Sequence, residues 1–306
     1  MKKHNLNIQI LDLLHFKNFD PIRYAEKWYS SSGKETAVLS DDCFLCDFNN
    51  NSWSLEIEEV HEKPTQNGWI DSYERNQVLE TIRPIFEKGL KGGVVVEFGA
   101  SIGYMIEELR NAFPSNFFIA TDLMNEGLQL SYRRNPDIAH IKCDFTQAPF
   151  MANSVDFVYS LNVLEHIEND AKTISECYRI LKHGGYCLFV VPRGEKLYDY
   201  FDEMLFHKRR YATNELFSKC NEAGFEVEKD FHFAWLCYPM FWLKKKINRF
   251  VGRKLSKSEK IRRVKMDINH AMNSPLAIFL MWIEYKLSKF IQPSFGVREF
   301  ILCKKI

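Results

Sequence analysis

The stretch Val94-Val95-Val96-Glu97-Phe98-Gly99-Ala100-Ser101-Ile102-Gly103-Tyr104 decides the fold that we predict for this chain. An apolar, β-branched run ends in an acid, a Gly-x-x-x-Gly turn follows at once, and a helical pattern extends to residue 112. Strand, glycine turn and helix in this order open a nucleotide-binding α/β unit. Glycine allows the backbone to approach a ligand closely, and the N-terminus of the helix attracts polar or anionic atoms. Glu97, at the end of the strand, favours a ligand rich in hydroxyl or amino groups over a bare phosphate.

The composition is that of a globular protein with a sizeable core. The 306 residues are 46% hydrophobic and 26% charged, which suits one large domain or a domain with an appendage. The net charge is +1, but residues 244–265 hold eleven Lys or Arg and one acid. Cys43-x-x-Cys46 has no second pair to complete a zinc set, so we predict no metal and reduced thiols. Without a secretory signal or a disulfide framework, the expected compartment is the cytoplasm.

Strand and helix patterns alternate regularly after residue 93. The predicted strands cover residues 94–98, 116–121, 138–143, 155–160, 186–191, 225–232 and 297–303. The predicted helices between them cover residues 102–112, 126–134, 170–181 and 213–223. This alternation predicts a Rossmann-like, doubly wound α/β fold, in which helices cover both faces of a seven-stranded, mostly parallel sheet. Ligands of such sheets bind at the carboxyl ends of the strands, near the point where the strand order reverses.

We predict three regions along the chain. Residues 1–90 form an N-terminal cap or lid, which ends in a helix that Pro84 kinks or splits. Residues 91–232 and 293–306 form the Rossmann-like domain. Residues 233–292 form a helical insertion whose order, apolar then basic then apolar, is typical of an amphipathic pair of helices.

Two further acids stand at strand ends. Asp122 follows Gly103 by 19 residues, where dinucleotide-binding units place the acid that holds ribose hydroxyls. Asp144 ends the third strand, where a carboxylate can accept a hydrogen bond from an adenine amino group and Phe145 offers an apolar face. Each acid alone could be an ordinary helix cap or turn residue, so the ordered set carries the prediction.

Several stretches, in the correct order, resemble motifs of class I S-adenosylmethionine-dependent methyltransferases. They are residues 96–103 (the glycine-rich first motif), 148–158 ("LPF…SFDxV"), 162–167 ("xVLEHI"), 176–185 ("E-x-x-R-x-L-K-x-G-G") and 207–225 ("H-x-x-x-Y-t-x-x-E-L…aGF", of small-molecule and glycan-type members). The resemblance covers roughly residues 92–232 and the last strand. It is specific for fold and cofactor and says little about the substrate.

The resemblance implies S-adenosylmethionine as the cofactor and a role for each matching residue. Glu97 and the loop residues Gly99, Ala100, Ser101 and Gly103 would hold its methionine end. Asp122, with Leu123 beside it, would bind the ribose, and Asp144 and Phe145 would flank the adenine. Ser160, Leu161 and Asn162 would face the sulfonium and the acceptor. Ser101 departs from the family, which often has a third glycine there.

That departure keeps other functions open. Residues 99–103 also fit G-x-S-x-G, the nucleophile elbow of α/β-hydrolases, with Ser101 as the nucleophile. A nicotinamide dehydrogenase is disfavoured because the G-x-G-x-x-G spacing is absent. A regulatory protein that binds the cofactor without catalysis is the alternative outside enzymes.

Transfer to an oxygen acceptor benefits from a general base, for which His166, His207 and Tyr211 are the candidates. Each of these side chains could instead have only a structural role. Quinone-pathway relatives bind a divalent metal through Glu-x-x-Glu-His, but this chain has Asn162 at the first position, so we predict no metal.

The expected acceptor is a small molecule or glycan intermediate, with an anionic or lipid-linked acceptor suited to the basic insertion. Residues 244–265 also predict a peripheral contact with an anionic membrane surface. The plainer interpretation is a helical appendage with a solvated basic face. Nucleic acid is less favoured, because no RNA-binding module is recognisable.

Overall fold

The computed structural model describes the backbone of residues 22–24, 27–29, 35–36, 43–45, 69–272, 274–288 and 290–306, and the side chains of 71–124, 126–267, 274–288 and 290–306. The helices are α1 (Trp69–Lys88), α2 (Tyr104–Ala112), α3 (Asn125–Arg134), α4 (Asp170–Ile180), α5 (Tyr200–Met204), α6 (Glu215–Glu222), α7 (Tyr238–Gly252), α8 (Lys257–Met272) and α9 (Pro275–Leu287). The strands are β1 (Ile22–Tyr24), β2 (Lys27–Tyr29), β3 (Glu35–Thr36), β4 (Cys43–Leu45), β5 (Val94–Phe98), β6 (Phe117–Asp122), β7 (Ala139–Lys142), β8 (Val155–Leu161), β9 (Leu181–Pro192), β10 (Phe225–Phe233) and β11 (Arg298–Lys305).

Strands β4 to β11 form one mixed sheet in the order β10-β11-β9-β8-β5-β6-β7-β4, while β1 to β3 pair separately. Neighbours from β9 to β4 run parallel, whereas β11 is antiparallel to both β9 and β10. All seven predicted strands form, so the Rossmann-like fold is confirmed, and β4 adds an eighth at the edge. The strand order reverses between β5 and β8, which puts the ligand crevice at their carboxyl ends.

Each face of the sheet has its own core. Helices α4 and α6 cover one face through Ile174, Cys177 and Leu216, which are fully buried. Helices α1 and α2 cover the other face, where Ile82 and Ile106 are fully buried. Apolar β-branched strands buried on both sides are what a mostly parallel sheet requires.

Helix α1 is a layer of this core, although the sequence assigned it to the cap segment. It continues without a break through Pro84, so the predicted split does not occur. The side chains of Ile82 and Phe86, on either side of Pro84, pack in the core. Their burial holds both halves of the helix on the sheet and offsets the backbone hydrogen bond that proline cannot make. Apart from β1 to β4, the cap residues before Trp69 lie outside the described residues.

Strand β9 begins five residues earlier than predicted. The sequence indicated that Gly184 and Gly185 stop the preceding helix, but α4 ends at Ile180 and β9 starts at Leu181. The glycines lie inside an irregular start of the strand, where the register with β8 shifts between Val155 and Phe157. Gly184 has a φ of 80°, a conformation that glycine adopts readily.

The insertion contains three helices, α7 to α9, where the sequence predicted a pair. Helix α9 packs on the sheet through Ala277 and Met281. Its Glu284 carboxylate accepts hydrogen bonds from the backbone N–H groups of Ala234 (2.6 Å) and Leu236 (2.9 Å). Within the described ranges, no helix has the length and apolar character needed to cross a bilayer.

Candidate active site

The glycine loop between β5 and α2 is closed by hydrogen bonds to the end of β6. The N–H groups of Gly99 and Ala100 both donate to the Thr121 carbonyl at 2.9 Å. The N–H of Ser101 donates to Asp122 Oδ2 at 2.8 Å. The sequence-predicted loop and acid are therefore one structural unit.

The loop requires small residues for two reasons. Gly99, Ser101 and Gly103 have φ values of 80°, 44° and 77°, so each lies in the left-handed region that favours glycine. A Cβ at Gly99 would come within 2.3 Å of Val163 Cγ2, and one at Gly103 within 2.2 Å of Ser131 Oγ. The space beside both glycines is therefore filled by protein side chains, where the sequence argument invoked approach of a ligand. The positive φ at Ser101 is a conformation in which glycine would be less strained than serine.

Asp122 holds both the loop and the start of the following segment. Its Oδ1 accepts from the N–H of Met124 at 2.8 Å, so each carboxylate oxygen has one backbone donor. Each oxygen keeps a further lone pair, which suits the two hydroxyls of a ribose. Burial raises the pKa of this carboxyl, and the N–H groups of Met124 and Ser101 oppose the rise.

Two buried side chains beside the switch point, Glu97 and Ser160, each have one oxygen without a hydrogen-bond partner among the described residues. Glu97 is 4% exposed, and neither its Oε2 nor the Oγ of the equally buried Ser160 has a hydrogen-bond partner among the described residues. Burial raises the pKa of Glu97 well above its ordinary value, and the nearby Asp122 carboxylate raises it further. Orphaned acceptors in a crevice are expected where a bound group completes them. The residues therefore fit the amino group at the methionine end of S-adenosylmethionine.

The predicted adenine pair behaves differently from the expectation. Asp144 caps the short 3₁₀ turn Phe145–Gln147 by accepting from the N–H of Thr146 at 2.8 Å. Phe145 is 1% exposed and stacks on Phe98 with ring centroids 4.1 Å apart. Because this ring packs inside the core, it does not offer the open apolar face that the sequence predicted.

Strand β8 ends in a network that the sequence did not reveal. Leu161 is half-buried, and Asn162 has a φ of 56° and donates from Nδ2 to Glu74 Oε1 at 2.8 Å. Glu74, from α1, also forms an ion pair with Arg298 at the start of β11. Glu74 and Arg298 thus fix the side chain of Asn162, although they lie 88 and 136 positions away from it in the sequence. No local sequence pattern could have indicated these contacts.

The two predicted histidines meet after β8. The rings of His166 and His207 make an edge-to-face contact, with centroids 4.7 Å apart. His207 Nδ1 lies 3.1 Å from Asp202 Oδ1, while its Nε2 lies 4.0 Å from Glu165 Oε1. Since a carboxylate only accepts, Nδ1 carries the proton and Nε2 is left as the basic nitrogen. Burial raises the pKa of Glu165 to about 8.

A buried charge cluster connects His207 to the insertion. Asp202 accepts from Arg210 Nε at 2.6 Å and from Lys245 Nζ at 2.7 Å. Lys245, from α7, also donates to Asp199 at 2.7 Å and is 2% exposed. Although burial opposes it, the His207 hydrogen bond and the Arg210 and Lys245 charges hold the pKa of Asp202 well below its usual range. Burial in turn lowers the pKa of His207.

Tyr211 has a structural environment. It is fully buried, and its hydroxyl donates to Asp170 Oδ2 at 2.6 Å. Burial and the Asp170 charge raise its pKa, so the phenol stays protonated. This argues against Tyr211 as the general base.

The side chains of Glu165, His166 and His207 also present one donor atom each within 4.8 Å of one another. A carboxylate and two imidazoles in such a group could hold a cation, although the same groups serve equally as acid and base. The prediction that this site needs no metal stays a prediction.

A family model described as a methyltransferase domain matches residues 96–189, which hold the glycine loop, Asp122 and the "VLEHI" stretch. Residues 96–189 therefore form a methyltransferase domain, and the match supports the class I S-adenosylmethionine-dependent family. That match disfavours the hydrolase and dehydrogenase alternatives for the same glycine loop.

Curated relatives of the methyltransferase domain agree with the family match. A probable S-adenosylmethionine-dependent methyltransferase of Mycolicibacterium smegmatis is 36% identical over 94 residues, or 30% of this chain and 36% of the relative. A ubiquinone biosynthesis O-methyltransferase of Pseudomonas putida is 25% identical over 187 residues, or 56% of this chain and 76% of the relative. The chain spans about a third to a half of the length of the first curated relatives it matches.

Solved structures agree on the fold. Phosphoethanolamine N-methyltransferase 2 of Haemonchus contortus, in complex with S-adenosylmethionine, superimposes with a TM-score of 0.53 at 18% identity. The superposition covers 81% of this chain and 56% of the other.

Proposed function

We propose that this protein transfers a methyl group from S-adenosylmethionine to an oxygen of a small-molecule or glycan acceptor that is anionic or lipid-linked. The observation that carries the proposal is the glycine loop tied to Asp122 at the switch point of the sheet. The relative named as an O-methyltransferase supports an oxygen acceptor.

The cofactor supplies an electrophilic methyl group on a sulfonium. On this proposal, Asp122 holds the ribose, while Glu97 and Ser160 receive the methionine end. The chain contributes alignment and a site shielded from water, which are the main requirements of an in-line displacement. Because burial lowers the pKa of His207, its imidazole is neutral at pH 7 and can accept the proton of the acceptor hydroxyl. His166 then contacts His207 and shapes the acceptor side.

Two measurements test this proposal. We expect S-adenosylhomocysteine to bind the wild type in calorimetry, and no measurable binding would refute the methyltransferase. His207→Gln should keep this affinity and lower kcat by about 10²- to 10⁴-fold, the usual contribution of a general base. Unchanged kcat in His207→Gln would eliminate the assignment of His207 as the general base.

Two further experiments separate the alternative functions. Cofactor binding without methylation of any acceptor in a broad panel would favour the regulatory protein. Labelling of Ser101 by a fluorophosphonate would favour the hydrolase.

The proposed membrane contact is supported by apolar stripes that face outward. On α7, side chains at a spacing of three and four residues are exposed, and Phe250 reaches 72%. On α9, Phe279 and Trp282 are exposed and stack on each other. The members of the two stripes are Met240, Leu243, Ile247 and Phe250 on α7, and Leu276, Phe279 and Trp282 on α9. Helices that combine such stripes with basic residues lie in the interface of a bilayer.

Positive charge beside these stripes suits an anionic lipid surface. Lys246, Arg249 and Arg253 are exposed, and the Lys246 ammonium lies 5.1 Å from the Trp242 ring centroid. The basic run predicted from the sequence is not uniform, however. Lys245 is buried and Lys244 pairs with Asp267 at 2.8 Å, so neither is a good candidate for lipid contact.

Sedimentation with liposomes tests this second part. We expect vesicles with anionic lipid to retain the wild type, and Lys246→Gln/Arg249→Gln/Arg253→Gln to weaken retention by roughly 100-fold, at about 1 kcal/mol per cation. Equal retention on neutral vesicles would refute the electrostatic part. Binding to RNA without retention on any vesicle would favour a nucleic acid ligand.

A further inference from the structure

A second group of ionisable side chains lies on strands β10 and β11, near the carboxyl end of β9. His232 and Glu299 are direct cross-strand partners, and Asp230 precedes His232 by two residues. Side chains two residues apart on a strand point to the same face, so all three project together. One donor atom from each lies within 4.8 Å of the other two.

The atoms that face one another in this group are unsatisfied. Glu299 is 1% exposed, yet neither carboxylate oxygen has a hydrogen-bond partner among the described residues. The same is true of His232 Nε2 and Asp230 Oδ1. Burying a carboxylate without hydrogen bonds costs free energy. We therefore expect a further group to bind these atoms.

The neighbouring cation does not supply these hydrogen bonds. Arg193 Nε lies 3.7 Å from Glu299 Oε2, which is beyond hydrogen-bond distance. Arg193 Nη1 donates instead to the Ser294 carbonyl at 2.7 Å. The Arg193 charge offsets part of the charge of both carboxylates, but the guanidinium donates no hydrogen bond to Glu299 Oε1 or Oε2, to Asp230 Oδ1 or to His232 Nε2.

The orientation of His232 is that of a metal ligand. Its Nδ1 lies 3.1 Å from the Pro293 carbonyl, which only accepts, so Nδ1 carries the proton and the lone pair of Nε2 faces the two carboxylates. Metal-binding histidines usually donate their second nitrogen to a carbonyl or carboxylate in this way. A neutral imidazole with a free Nε2 lone pair is the form of histidine that binds a metal.

We propose that Asp230, His232 and Glu299 bind a divalent transition-metal ion of the Zn²⁺ type. One imidazole and two carboxylates suit Zn²⁺ better than Mg²⁺ or Ca²⁺, which prefer oxygen ligands alone. Three protein ligands leave a fourth position for water. The ion links β10 to β11 beside Arg193, whose carbonyl accepts from Arg210 Nη1 at 3.4 Å. It therefore strengthens the sheet edge formed by β10 and β11, next to β9, the strand that precedes the segment carrying His207.

The test is a zinc titration of the full chain after treatment with a chelator. We expect saturable Zn²⁺ binding that weakens at least about 10- to 100-fold in His232→Gln and in Glu299→Gln. His183→Gln, an exposed histidine, is the matched control and should bind like the wild type. Zn²⁺ should also raise the Tm of the wild type and not that of the two ligand variants, while Mg²⁺ raises neither.

Further variants distinguish this site from other candidate zinc ligands in the chain. Glu165→Gln and Cys43→Ser/Cys46→Ser each remove ligands from another candidate group and should leave this binding event in place. Circular dichroism without metal establishes that His232→Gln and Glu299→Gln are folded. No saturable Zn²⁺ binding by the wild type, or equal affinity in the wild type and a folded His232→Gln, would overturn the proposal.

Discussion

The glycine loop and the helical insertion differ in how sequence determines their structure. In the loop, backbone hydrogen bonds join Gly99 and Ser101 to the end of β6 at Thr121 and Asp122, where the order of these residues along the chain predicts a strand end beside the turn. In the insertion, three consecutive lysines have three environments: Lys244 pairs with Asp267, Lys245 is buried between Asp199 and Asp202, and Lys246 is exposed. A loop motif encodes local geometry, whereas the role of a helical charge depends on which face of the helix packs.

The largest effect should come from Lys245, which joins the insertion to the segment that carries His207. Lys245→Met leaves two buried carboxylates short of a partner, and breaking such a pair costs about 3–5 kcal/mol of unfolding free energy. Lys246→Met, on the exposed face, should stay within about 0.5 kcal/mol of the wild type. Urea denaturation measures both. Equal stability of the two variants would show that α7 is a separable appendage.

The next largest effect should be on cofactor affinity at the glycine loop. Asp122→Ala removes the acceptor for the Ser101 and Met124 N–H groups together with the ribose ligand, so S-adenosylhomocysteine should bind about 100-fold more weakly or not at all. Asp137→Ala, at an exposed ion pair with Arg110, should leave the dissociation constant unchanged. Calorimetry decides, and wild-type affinity in Asp122→Ala would refute the proposed ribose contact.

Removing part of the exposed apolar stripe of α7 should have an intermediate effect on membrane binding. Leu243→Ser/Phe250→Ser removes apolar surface that partly enters the lipid, and we expect retention on anionic vesicles to fall about 10-fold. Leu130→Ser, an exposed apolar residue outside the insertion, is the matched control. If both variants sediment like the wild type, the stripe has another partner.

The smallest effect concerns the pH dependence of stability at α9. Burial raises the pKa of Glu284 to about 7 from an ordinary value of 4.5, so the folded protein keeps a proton that the unfolded chain releases between these values. Its contribution to stability is complete below pH 4.5 and is lost as the pH rises through 7. Glu284→Gln should therefore reduce the fall in unfolding free energy in this window by up to about 1.4 kcal/mol per pH unit. An unchanged slope, with the exposed Glu168→Gln as control, would contradict this.

Much of the fold was predictable because alternating patterns report burial on two faces of a sheet. The seven strands follow from apolar β-branched runs, although the start of β9 was missed because Gly184 and Gly185 resemble a helix stop. Helix α1 was assigned to a cap because its amphipathic pattern does not say which surface it covers. The stacking of Phe145 on Phe98 was not predicted, because it joins residues 47 positions apart in the chain.

By itself, the sequence determined the glycine loop, its acid and the cofactor class, since these depend on contacts between residues close along the chain or at fixed strand ends. It also placed His166 and His207 among the candidate bases. Only the tertiary structure decided that these histidines touch, that Lys245 supports His207 through Asp202, and that Asp230, His232 and Glu299 converge. Such contacts join distant segments, and their geometry follows from strand register and helix packing, which no local pattern encodes.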